Sequence, residues 1–91
     1  MNLDARLTIP TQVMSRLVGE ETVLLDLASG HYFGLDAVGK LIWESVSDGQ
    51  SLTDAVDAIV AEYEVDKSQA EADVTAFADQ LVERGLLAQQ A

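Results

Sequence analysis

Asp26, Ser29 and His31 stand close together in the stretch LLDLASGHYFGLDAVGKLIWESV, and they are the three residue types of an acyl-transfer triad. A triad needs its imidazole held between a nucleophilic hydroxyl and an orienting carboxylate, with oxyanion donors facing the nucleophile. Here the residues bracket Gly30 in what reads as a tight turn, where the hairpin dictates the direction of each side chain. The expectation for His31 is therefore a structural or surface role. It is the chain's one histidine, and cysteine is absent, which removes thiolate chemistry, disulfides and metal clusters built on imidazole or sulfur. Carboxylates are abundant, but Asp54 with Asp57, and Glu62, Glu64 and Asp66, lack the ligand spacing and central glycine of a calcium loop. Acid–base catalysis needs two groups whose pKa values are driven apart, and scattered acids on helices read as solvated faces. Gly30, Gly34 and Gly39 are not followed by the Lys-Ser or Lys-Thr of a phosphate loop. The expected site has no catalytic residue, no metal and no cofactor.

The elements that would carry any site follow from apolar spacing. The chain has 91 residues, enough for one domain with a modest core. Its formal charge is −11, from sixteen acidic and five basic residues, which repels phosphate backbones and attracts basic peptides. No targeting signal opens the chain and no stretch is apolar enough to span a bilayer, so the expectation is a cytoplasmic protein without a membrane partner. Residues 1–12 read as a flexible arm ending near Pro10, residues 13–88 as the domain and 89–91 as a tail.

Val13 to Val18 and Thr22 to Leu27 read as two strands about Gly19, and His31 to Leu35 as a third after the turn at Gly30. Alternation puts Val23, Leu25 and Leu27 on one face, expected to be buried, and Leu24 on the other face with Tyr32. Three helices follow. Asp36 caps the first, with Val38, Leu41, Ile42, Ser45 and Val46 inward and Trp43 packing its flank. Ser51 and Asp54 resemble a capping box for the second, whose stripe runs Leu52, Ala55, Val56, Ile59, Val60, Tyr63. The third is capped at Asp66 or Ser68, lines Ala70, Val74, Phe77, Ala78, Leu81 and Val82 along one face, and closes at Gly85. Leu86 and Leu87 then fold back onto the domain.

Strands first and helices after, without alternation, give an α+β fold: a three-stranded antiparallel sheet followed by three helices covering one face. Such a sheet has open edges, and an open edge beside an apolar helix is a docking place for an extended peptide. A winged helix-turn-helix has the same ingredients, but the third helix sets Glu71, Asp73, Asp79 and Glu83 against Lys67 and Arg84. Base and phosphate contacts need donors there, which argues against a nucleic-acid partner. The strand-rich first third and the absence of an Asp-Ser-Leu attachment point argue against an acyl carrier.

The stretch VLLDLASGHYFGLDAVGKLIWESVSDGQSLTDAVDAIV, followed by DVTAFADQLVERGLL, resembles the PqqD-like proteins, recognition domains for leaders of ribosomally made, enzymatically modified peptides. Three signatures carry the resemblance over Val13 to Leu87: LLD with its glycine turn and YFGLD, the GKLIWE helix, and the closing LVERGLL. The form is most similar to the stand-alone B1 recognition proteins of lasso peptide pathways. Asp36 stands where Asn is more frequent, which preserves a helix cap. The resemblance implies a winged helix-turn-helix fold that takes up a leader as an added strand between the third strand and the third helix. It implies contacts at Gly30, His31, Tyr32, Phe33, Gly34 and Leu35 on the edge and at Val74, Phe77, Ala78, Leu81 and Val82 on the wall. Tyr32, Val74, Ala78 and Leu81 are the expected groove residues, and Asp73 and Asp79 the expected rim partners of basic leader residues.

The function so implied is non-catalytic capture of a precursor leader and its presentation to a leader peptidase and cyclase. A PqqD-like chaperone for a radical SAM peptide-modifying enzyme uses the same groove. A winged-helix DNA-binding regulator is the alternative of another class.

Overall fold

The computed structural model describes residues 2–89; the first residue of the expected arm and the last two of the expected tail lie outside them. The elements run β1 (Leu7–Thr8), β2 (Val13–Val18), β3 (Glu21–Asp26), β4 (Tyr32–Leu35), α1 (Ala37–Ser47), α2 (Leu52–Tyr63), α3 (Lys67–Glu83) and β5 (Ala88–Gln89). Strands β2, β3 and β4 form an antiparallel sheet in that order, and β1 pairs with β5. The fold is α+β, a winged-helix type of arrangement in which three helices follow a three-stranded sheet.

The register of β3 and β4 decides which residues enter the core. The Asp26 amide donates to the His31 carbonyl at 3.0 Å, closing a four-residue loop over Leu27 to Gly30. Leu24 then lies opposite Phe33, and Leu25 opposite Tyr32. Directly opposed residues share a face, so Leu24, Phe33 and Leu35 point to the helices. This corrects the expectation from alternation alone: Leu24 is 0% exposed and Tyr32 73%, while Leu27 is also largely exposed. The strand's own pattern could not show this, because both faces of β3 carry aliphatic side chains and the loop fixes which one turns inward.

The helices end where their caps say. The Asp36 carboxylate accepts from the Gly39 amide at 2.7 Å, satisfying one of the donors that a helix start leaves open. Ser51 and Asp54 form the reciprocal capping box. Asp66 caps α3 by position but makes no side-chain cap bond. At the far end of α3, Gly85 adopts φ +74°. Its amide donates to the Val82 carbonyl at 3.1 Å and the Leu86 amide to Leu81 at 2.8 Å. That is a Schellman turn, and its left-handed glycine sends Leu86 and Leu87 back into the core.

The core joins Leu24 and Leu35 of the sheet to Ile42 and Trp43 of α1, Val56 and Ile59 of α2, and Val74, Ala78 and Leu81 of α3. Trp43 is buried there, as expected of a packing residue. The segment before β2 is tied down at several points. Leu7 is buried, the Leu3 carbonyl accepts from Thr53, and the Arg6 guanidinium donates to the Gly49 carbonyl.

The register makes a direct prediction. Leu24→Ala should cost about 2–5 kcal/mol of unfolding free energy, as truncation of a sealed core leucine does. Leu25→Ala, on the outer face, should cost less than half as much. Urea unfolding of the two variants checks the assignment, and equal losses would contradict it.

Candidate functional site

β4 is the last strand of its sheet, so one side of its backbone has no strand partner. Antiparallel pairing alternates which residues turn their N–H and C=O groups toward the neighbour. The His31 carbonyl points to β3, so Phe33 and Leu35 bond inward while Tyr32 and Gly34 present their backbone groups to the open side. Gly34 has no atom within 4 Å of the place a Cβ would take. The outer face of the sheet is therefore open at this residue.

The opposing wall is α3. Cation–π contact joins its C-terminal end to the strand, with the Arg84 guanidinium 5.1 Å from the centre of the Phe33 ring. A cleft of about 160 Å³ opens here, lined by Asp26, Ser29, His31, Tyr32, Phe33, Arg84 and Leu86. A second hollow of about 340 Å³ lies at the other end, where Asp36, Val38, Gly39 and Ile42 face Asp73, Ala76 and Phe77. Phe33 thus lies by the end of α3 and Asp36 by its middle, so strand and helix run in opposite senses along one groove. On α3 the residues Asp73, Phe77, Leu81 and Arg84 recur at spacings of four, four and three, which keeps them on one stripe.

The structure sorts the expected contacts into three groups. Gly30, His31, Tyr32 and Gly34 are exposed along the edge; Phe33 and Phe77 are half-buried at the groove, and Val82 is half-buried but lines neither hollow. Val74, Ala78 and Leu81 are 0% exposed and Leu35 nearly so, and these four form the hydrophobic layer beneath the groove. Val38, Gly39, Ile42, Arg84 and Leu86 line the hollows without having been singled out. A helical stripe through Phe77 reaches Arg84, so that residue had a readable signal; the α1 residues had none, because only folding brings them opposite α3.

The turn at Gly30 uses its polar residues on itself. Asp26 accepts from the Ala28 amide and the Ser29 hydroxyl, both at 3.0 Å. The His31 amide, not its ring, donates to Ser29 at 3.3 Å. Asp26, Ser29 and His31 therefore stabilise a bend, and the order hydroxyl–imidazole–carboxylate is not made. Among the described residues no group of three or more His, Asp or Glu is placed to hold a metal ion, and no helix is long and apolar enough to cross a membrane.

An unpaired strand edge beside an apolar helical wall is the geometry of a domain that accepts an extended chain as an extra strand. The sequence matches the family of Coenzyme PQQ synthesis protein D (PqqD) over residues 21–87, and the chain belongs to that family. The fold is similar to that of TbiB1 in complex with the TbiA(beta) leader peptide, with a TM-score of 0.84 and 43% sequence identity. That likeness covers 92% of this chain and 98% of the other. It is also similar to lasso peptide synthetase B1 complexed with the leader peptide, with a TM-score of 0.86 and 30% identity over 91% of this chain and 98% of that one. No curated protein sequence matches the chain significantly.

Gly39 offers a test of the groove's packing. A Cβ at this position would meet the Phe77 ring at 3.0 Å and the Asp36 carboxylate at 3.1 Å. Gly39→Ala gains about 0.5–1 kcal/mol of helix propensity and loses about 1–3 kcal/mol to overpacking. The expected outcome is a net loss of about 1 kcal/mol in chemical unfolding, with displaced Phe77 ring resonances.

Proposed function

We propose that this chain is a non-catalytic adaptor that captures the leader of a ribosomally made precursor peptide and presents it to a processing enzyme. The leader lies as an added strand on the open edge of β4, with side chains pressed toward Phe33 and Phe77. The observation that carries this reading is the likeness to TbiB1, solved with a leader peptide, across nearly the whole of both chains. The open edge supplies its physical basis: backbone bonds to Tyr32 and Gly34 give affinity, and the hollows give selection among side chains.

Of the expected contacts, Gly30, His31, Tyr32, Phe33, Gly34 and Phe77 touch the leader on this reading, and Val82 lies on the far shoulder of α3. Leu35, Val74, Ala78 and Leu81 support it from below. The enzymes served are a leader peptidase and a cyclase of lasso peptide biosynthesis, in the cytoplasm where the precursor is made; the similarity to lasso peptide synthetase B1 favours these partners. A radical SAM peptide-modifying enzyme is the second reading, favoured by the family match itself. Nucleic acid is not a partner on this reading, since the charge of −11 opposes it.

Isotope-labelled protein titrated with the leader of a precursor encoded beside its gene should shift resonances of β4 and α3 while leaving α2 unmoved. No saturable binding to any neighbouring precursor, or salt-dependent binding to duplex DNA in its place, would sink the proposal. An edge variant sharpens the test. Gly34→Pro removes an N–H that faces solvent, a change edge strands tolerate. It should fold normally and bind leader at least about tenfold more weakly, from one lost bond of roughly 1 kcal/mol plus the ring's obstruction.

A further inference from the structure

We infer that the groove between β4 and α3 reads the charge polarity of its peptide, favouring a basic residue upstream and an acidic residue four or six positions downstream; this rests on the strand-addition reading above. The two ends of the groove differ in charge, one holding Arg84 beside Asp26 and the other Asp36 and Asp73 with no base. At one end, Arg84 lays its guanidinium over the Phe33 ring and has no carboxylate partner among the described residues. Asp26 lines the same cleft; its oxygens accept from neutral donors of the turn, and its charge offsets part of that of Arg84. Arg84 is the one arginine or lysine lining that cleft, and with one face of its guanidinium stacked its donor edge is left to take a carboxylate. At the other end, Asp36 and Asp73 border the hollow at Phe77, and no lysine or arginine lines it. Asp73 takes only a neutral donor there, the Gln69 amide at 2.9 Å.

Direction follows from the strand. An added strand pairs best antiparallel, so its N-terminal part lies beside Asp36 and Asp73 and its C-terminal part beside Arg84. Asp73 and Arg84 are eleven residues apart on one helix, which is about 16 Å of axial rise. An extended chain covers that distance in about five residues. Only even separations keep two side chains on the same face of a strand, which leaves four or six. The arrangement adds something that the overall charge does not. A field of −11 favours any cationic peptide, whereas Arg84 places an anion-accepting point at one end alone.

The test is a scan in which a Lys/Glu pair, four residues apart in one series and six in another, is moved along a fluorescein-labelled TbiA(beta) leader, each peptide matched with its charge-swapped twin. Twins have the same composition and net charge, so long-range attraction cancels. In the register that spans the groove, the Lys-first peptide should bind about tenfold tighter than its twin at low salt, as two solvent-exposed ion pairs and the loss of two repulsions allow. The preference should shrink as salt is added. The double variant Arg84→Glu/Asp73→Lys changes two exposed side chains and should invert the preference, which no loss of folding could do. Equal binding of the twins in every register, a Glu-first preference, or failure of the double variant to invert it would overturn the polarity reading while leaving strand capture intact. Absence of saturable binding by every peptide in the scan, together with that of a genomically neighbouring leader, would overturn strand capture itself.

Discussion

The contact between Leu24 and Phe33 across β3 and β4 is the constraint on which the rest of the molecule depends. Placing that pair inward commits β4 to the register closed by the Asp26–His31 bond. Phe33 is then held where Arg84 can stack on it, and Tyr32 and Gly34 are left with outward backbone groups. One hydrogen-bonded loop thereby assigns the core, the edge and one end of the groove. A slip of one residue would exchange all three.

Core and site share side chains throughout this small domain. A chain of this size has few large aliphatic residues to spend, and those of α3 serve mainly to bury the helix against the sheet and α2. Val74, Ala78 and Leu81 are spent in that way. What remains for a ligand is the shoulder of the same helix, Asp73, Phe77 and Arg84, where the apolar stripe meets the charged face. A recognition surface built on that shoulder is amphipathic by construction: each apolar contact has a charge within one helical turn.

Much of the architecture could be read from the sequence because each helix announces itself twice, by periodicity and by its caps. Asp36, Ser51 with Asp54, and Gly85 all do what their types suggest. The strands are less explicit. Val23 and Leu25 offer as good an inward face as Leu24 does, and only the loop length settles the choice. The site was legible as an edge and a helix, since order along the chain implies both. Its finer division was not. Whether Leu81 is wall or core depends on how closely α3 approaches β4, a distance that no local pattern encodes, and the α1 contribution at Val38 and Gly39 arises from packing between separate elements.

The short pairing of Leu7–Thr8 with Ala88–Gln89 brings the two ends of the domain to within one strand spacing, about 4.8 Å. A unit whose entrance and exit adjoin can be spliced into a surface loop of another protein with little rearrangement of either. The groove lies along β4 and α3, and neither short strand contributes a residue to its hollows. The molecule is thus geometrically suited to modular transfer, with the groove of β4 and α3 moved intact from one host protein to another.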